Sequence, residues 1–256
     1  MIPIGDDNRD RISTPWITWF LIAANVIVFV FFQGFGHNDR FTYAFSTVPQ
    51  EILTGRDIVT PDRVVLDRST GQRYLVPGLQ PTPVPVYLTL IISMFMHAGW
   101  AHIIGNMLYL FIFGDNVEDR LGKLRFLLFY LVCGIVASLA QVMVAAATRR
   151  GLLVPSLGAS GAISGVLGAY LLLFPRNRVR VLFLWGIISV PAVLVVGVWF
   201  VFQVVDGLGY LGGGTGGGVA YAAHIGGFVV GLATVKLWAI GRKPLPRSRQ
   251  EREYIR

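Results

Sequence analysis

Charge is scarce in this chain: 14% of its 256 residues are Asp, Glu, Lys or Arg, against 54% hydrophobic ones. Soluble domains carry about 25% charged residues. With a mean hydropathy of +0.61, the shortage excludes an ordinary soluble domain and leaves an integral membrane protein, its repeated apolar spans forming one helical bundle. Cysteine is scarcer still. The single Cys133 lies inside an apolar run, so an intrachain disulfide is excluded and the thiol reads as packing. Histidine occurs four times and never as His-Glu-x-x-His. Zinc asks for a carboxylate or more histidines around an open position, and haem for histidines at matched depths on two helices, so neither metal nor cofactor is expected. The net charge of +8 is no nucleic-acid signature, because the basic residues sit beside apolar spans without interleaved aromatics. The first apolar run, 16–32, is followed by no small-x-small cleavage pattern and reads as a retained helix.

A membrane helix needs about 20 apolar residues. Six segments approach that length: 16–33, 101–113 with its apolar approach from 86, 124–147, 158–175, 179–205 and 218–240. Part of the approach 86–100 is expected as loop within the membrane. The fold class is therefore an all-α membrane protein with six spans and both termini on one side. Segments 1–15 and 241–256 flank a membrane domain, 16–240, whose connection 34–85 is too long and polar for a simple turn. Basic residues at 9, 11, 120, 123, 125, 176, 178 and 180 and in the tail outnumber those on the other side about two to one. Cytoplasmic termini in a cell (inner) membrane follow, with the long loop outside. The basic tail is placed to touch anionic lipid headgroups of the bilayer.

Two of these spans carry chemistry. Gly158-Ala159-Ser160-Gly161 opens the fourth span at its outer end, and Ala223-His224-Ile225-Gly226-Gly227 places His224 at similar depth in the last. A serine hydroxyl becomes a nucleophile when a base takes its proton, and a neutral imidazole within hydrogen-bond reach is the usual base. Gly158 and Gly161 let backbone approach closely, and the Gly161/Gly165 and Gly227/Gly231 pairs are small-xxx-small faces on which two membrane helices touch. Alternatively, each side chain merely bonds a nearby carbonyl.

A further constellation is His97-x-x-x-x-His102-x-x-x-Asn106. His102 and Asn106, four apart, share a helix face. Buried polar groups in a membrane are usually functional, and two donors on one face suit an oxyanion hole; interhelical hydrogen bonding is the other reading. The acidic run Asp115-Asn116-Val117-Glu118-Asp119 reads as capping and loop ordering. Asp206, before the glycine-rich connection to Gly218, reads as a solvated turn residue rather than a third triad member.

In these motifs the chain resembles the rhomboid family of intramembrane serine proteases, over roughly Trp16 to Ile240. The resemblance implies Ser160 as nucleophile, His224 as general base, His102 and Asn106 as oxyanion-side residues and His97 as a supporting one. It implies a Ser-His dyad without a carboxylate, a six-helix core and hydrolysis of peptide bonds in or next to transmembrane segments of other proteins. Two departures stand out. Ser164 occupies a position where family members often carry an aromatic packed on the histidine, so Phe228 or Tyr221 is expected to support His224; and the first loop lacks a Trp-Arg pair. A catalytically dead relative that escorts membrane clients would lack Ser160 or His224, and a transporter would show an internal repeat.

Overall fold

The computed structural model describes residues 2–66, 71–184, 186–211 and 220–242. The expected basic tail lies outside the described residues beyond Arg242. Strand β1 (Ile2–Gly5) precedes helix α1 (Trp16–Ile27), which runs into a π-helical turn, Val28–Phe32. The acidic run orders this entrance. Glu118 accepts from the amides of Ile17 and Thr18 at 3.0 and 2.7 Å and from the Thr18 hydroxyl at 2.8 Å, satisfying first-turn donors that a helix cannot pair internally.

The long connection holds short elements: α2 (Asp39–Phe45), capped by the Asn38 side chain, α3 (Pro49–Thr54), and an exposed antiparallel hairpin of β2 (Arg63–Leu66) and β3 (Arg73–Val76). Pro49 supplies the first-turn φ of α3, and Gly55, at φ +68°, ends it in the left-handed region. The approach 86–100, expected partly as loop, is helical over Val86–Phe95, with α4 (Thr89–Ile92) between two 3-10 turns. It meets α5 (Trp100–Leu121) at 79°. The loop part of the approach is thus 96–99, and one reading is corrected: α5 continues through Gly114 and Asp115 to Leu121. The polar side chains that seemed to end it are satisfied by the N-terminal segment, with Arg11 donating to Asp115 at 2.5 Å.

After α6 (Lys123–Thr148) comes α7 (Ser160–Leu173), the centre of the bundle, packed against α5, α6 and α9 (Tyr221–Trp238). Every residue of α7 from Gly161 to Tyr170 is buried, as befits a helix that is apolar all round. Its contact with α9 is backbone on backbone. A Cβ added to Gly227 would lie 2.1 Å from the carbonyl oxygen of Gly161, and one on Gly231 2.1 Å from that of Gly165.

The expected span 179–205 is the main correction. Its first part is a β-hairpin, β4 (Arg178–Phe183) and β5 (Gly186–Pro191), and helix α8 (Ala192–Leu211) starts only after Pro191. In β4, Val179 and Val181 are fully buried while Arg178 and Arg180 are exposed, the two-residue alternation of a half-buried strand. The glycine-rich connection expected from Asp206 is helical as far as Leu211; its remainder lies outside the described residues. Asp206 is accordingly an exposed residue inside α8, not a turn residue.

Strand β1 joins the hairpin in the order β1-β4-β5, all antiparallel. This sheet, the start of α1, the ends of α5 and α7 and the end of α9 lie at one end of the bundle: Asp6 accepts from Tyr170 (2.6 Å) and Asn116 (2.7 Å), and Arg125 donates to the Trp238 and Ile240 carbonyls. Helices α6, α8 and α9 are long and apolar enough to cross a membrane, as is the bent pair through α5 taken as one, while 16–32 and α7 are shorter apolar helices.

Candidate active site

Ser160 is the first residue of α7, at the end of the bundle opposite the sheet. The chain reaches it through an extended approach that is held on two sides. Thr47 and Ser156 exchange both main-chain hydrogen bonds, at 2.9 and 2.8 Å, and the Gly158 amide donates to the Ser93 carbonyl at 2.9 Å. Thr47 in turn is fixed by its hydroxyl, which donates to the Thr89 carbonyl and lies 2.9 Å from Ser93 Oγ. The long connection thus braces the segment that delivers Ser160.

His224 meets Ser160 from α9: Nε2 lies 2.8 Å from Ser160 Oγ. The close approach of the two helices makes this reach possible, because glycines at 168, 227 and 231 remove the side chains that would hold α7 and α9 apart. The other imidazole nitrogen, Nδ1, lies 2.7 Å from Oε1 of Gln203 on α8. The aromatic beside the imidazole is Trp199, ring centroids 6.1 Å apart, with Phe228 behind it at 6.2 Å. Support from Phe228 or Tyr221 is thereby corrected to Trp199, since Phe228 packs in the second layer, stacked on Phe200 at 4.1 Å. Sequence reasoning missed both Gln203 and Trp199. The signal for Gln203 was an amide inside an apolar stretch, where an unpaired polar group is costly.

His102 faces the same space from α5. Gly158 has φ +124°, and a Cβ there would lie 2.9 Å from His102 Nε2, 2.8 Å from its Cε1 and 3.7 Å from Ser160 Oγ. Glycine therefore keeps open a gap lined by both side chains. The Ala98 amide donates to His102 Nδ1 at 3.3 Å. An imidazole whose Nδ1 accepts carries its proton on Nε2 when neutral, so the N–H points toward the gap. Asn106 is placed one turn further along α5, buried, its amide donating to the His102 carbonyl at 3.0 Å. That bond occupies one of its two amide hydrogens.

His97 is buried and packs edge-on against His102 with ring centroids 5.0 Å apart. Its main chain is gripped by the buried Gln33, which accepts from the His97 amide at 2.8 Å and donates to its carbonyl at 3.0 Å. Neither His97 ring nitrogen has a hydrogen-bond partner among the described residues. Gly161 fits against α6, where a Cβ would meet Ala137 Cβ at 2.6 Å. A small cavity beside Ser160 is lined by Ser93, Gly134, Ser138, Ser156, Gly158 and Gly161, among others. No group of three metal-ligating side chains occurs among the described residues.

An apolar helical bundle with a serine and an imidazole in hydrogen-bond contact defines a class of membrane-embedded protein. Residues 85–240 match the family described as Rhomboid domain, and the chain belongs to the rhomboid family, as a multi-pass integral membrane protein. It is 32% identical over 226 residues to Rhomboid protein 1, mitochondrial, of Saccharomyces cerevisiae, covering 85% of this chain and 61% of that protein. To Rhomboid protease GluP of Bacillus subtilis it is 38% identical over 136 residues, 52% of this chain and 25% of that one. The human Presenilin-associated rhomboid-like protein, mitochondrial, is 32% identical over 119 residues, 43% of this chain and 31% of its own. The chain thus spans less than two thirds of each relative's length.

Proposed function

We propose that this chain is an intramembrane serine endopeptidase that hydrolyses peptide bonds in or next to transmembrane segments of other membrane proteins. The observation that carries the reading is the 2.8 Å contact of His224 Nε2 with Ser160 Oγ. In this scheme Nε2 takes the hydroxyl proton as Oγ attacks the scissile carbonyl carbon. The tetrahedral intermediate collapses as the imidazolium returns that proton to the leaving amine; water, deprotonated by the same imidazole, then releases the acyl group. The His102 Nε2–H and Asn106 amide, with the first amides of α7, serve the developing oxyanion. His97 holds His102 in place by packing, and Gly158 and Gly161 leave the room the reaction needs.

The fold in this proposal is the six-span bundle, with α8 as the fifth span and the hairpin β4–β5 as its approach. Termini and sheet face the cytoplasm of a cell membrane, in line with the two-to-one excess of basic residues there, and Ser160 opens to the outer side. The relative from Bacillus subtilis is named a protease, which supports the same activity here.

A serine-directed fluorophosphonate tests the reading without any choice of substrate. The full-length protein in detergent is expected to be labelled at Ser160 and nowhere else. Labelling should vanish in Ser160→Ala and fall steeply in His224→Ala; undiminished labelling of Ser160 in His224→Ala would contradict the assigned base.

A further inference from the structure

We infer that Gln203 is a positioning residue for His224, setting which imidazole nitrogen carries the proton and so making Nε2 a base toward Ser160. The inference rests on the protease reading above for its kinetic consequences, but its geometric content is independent of it. Three helices converge on one ring: α9 carries His224, α7 presents Ser160 Oγ 2.8 Å from Nε2, and α8 presents Gln203 Oε1 2.7 Å from Nδ1.

The chemistry of the acceptor decides the tautomer. A neutral imidazole has one N–H and one lone pair, and an amide oxygen can only accept. Nδ1 therefore holds the proton, and the lone pair of Nε2 faces the Ser160 hydroxyl. His102 shows the reverse arrangement in the same site, since its Nδ1 accepts from the Ala98 amide. One imidazole is thus set as an acceptor toward the site and the other as a donor, each by the partner of its remote nitrogen.

The position of Gln203 on α8 is as informative as its bond. Trp199 lies one turn earlier on the same face and packs on the His224 ring, so a single helix supplies both the surface that fixes the ring's tilt and the oxygen that fixes its rotation. Asp206, the nearby carboxylate, is exposed. An amide inside a membrane helix is costly unless bonded, and His224 Nδ1–H is the bond described for this one. When Nε2 accepts the serine proton, the Gln203 oxygen faces a cationic ring with a dipole rather than a full charge. Catalytic competence in this chain then depends on the register of α8 against α9.

The test compares the full-length wild type with Gln203→Leu, Gln203→Glu and Ser160→Ala in liposomes, on a fluorogenic transmembrane peptide, alongside ¹⁵N spectra of the histidine side chains. Gln203→Leu is expected to lower kcat by about 10- to 100-fold, by analogy with the loss of a partner that orients a metal-ligating histidine, with KM changed little. Gln203→Glu keeps the acceptor and should retain activity, but its carboxylate stabilises the imidazolium, so the acid limb of its kcat profile should move to higher pH. A purely structural role would not move that limb. The spectra should show a single Nδ1–H tautomer of His224 in the wild type and a mixture in Gln203→Leu.

Wild-type kcat and pH profile in Gln203→Leu, an unmoved acid limb in Gln203→Glu, or an Nε2–H tautomer in the wild type would each overturn the inference. Should Gln203→Leu fail to fold, the Gln203→Glu limb and the wild-type tautomer decide. Turnover equal in wild type and Ser160→Ala would instead remove the protease reading, and the ¹⁵N spectra would still decide the role of Gln203.

Discussion

Ser160, His224 and His102 show how far a site can be assembled from one residue type at a time. The serine between glycines, the histidine ahead of Gly227 and Gly231, and the pair His102 and Asn106 were legible because each lies in a local pattern whose spacing fixes a helix face. Gln203 and Trp199 were not legible as partners of His224: no local periodicity relates residues on α8 to one on α9, and only the packed structure brings them to the same ring. Gly158 keeps open the space between His102 and Ser160. Gly158→Ala places a methyl 2.9 Å from His102 Nε2 at a φ of +124°, where a side chain is strained. It should abolish turnover with the protein still folded. His102→Ala should lower kcat by about 10²–10³, the usual loss on removing one oxyanion donor. Both are read by peptide cleavage beside a thermal melt. Unchanged kcat in His102→Ala would leave it an interhelical packing residue.

At the scale of elements, the hairpin β4–β5 was hidden by composition. The run from Val179 to Val205 is apolar enough for a span, and Leu182, Phe183, Leu184, Ile187 and Ile188 remain exposed in the folded chain, so apolarity alone could not separate strand from helix. The alternation Arg178-Val179-Arg180-Val181 was the available signal, and the four-residue β1 it pairs with is too short to announce itself. Strand β1 is held beside Asp6, whose carboxyl is pushed up to about 7, first by burial and also by Asp115 and Asp7, against hydrogen bonds from Tyr170 and Asn116. A carboxyl raised in the folded state stabilises docking when protonated. That contribution is full below its ordinary value and is lost as pH rises through about 7. Asp6→Asn mimics the protonated form, so at pH 8 it should slow hydrogen exchange of the β1 amides relative to wild type, and at pH 5 the two should agree. Equal exchange at both values would refute the linkage. The contact between α7 and α9 yields a second expectation. Gly231→Ala forces a methyl to 2.1 Å from the Gly165 carbonyl oxygen and should destabilise the bundle by about 1–3 kcal/mol, as overpacking does. Gly209→Ala, which meets nothing within 4 Å, is the matched control in the same melting experiment. If the two variants melted together, backbone contact would not be what holds these helices.

On the proposed function, the whole molecule joins a membrane-spanning bundle to a reaction that needs water and an extended peptide. A transmembrane helix hides its peptide groups in internal hydrogen bonds that are expensive to break in lipid. Substrates should therefore carry Gly, Pro or other helix-weakening residues near the cut. The cavity beside Ser160, lined by serines, glycines, alanines and Leu157, should favour a small residue immediately before the cut. Replacing Gly and Pro of a model span by Leu, or that preceding residue by Phe, should slow cleavage; equal rates for all variants would contradict this account of selectivity. The central claim is that Ser160 and His224 act as one unit on a peptide bond. Its most direct test is cleavage of a labelled single-span substrate by purified protein in liposomes, comparing wild type with Ser160→Ala, His224→Ala and the double variant. Cleavage by the wild type alone is the predicted result, with the double variant no worse than either single one. Turnover by Ser160→Ala comparable to that of the wild type would contradict the account.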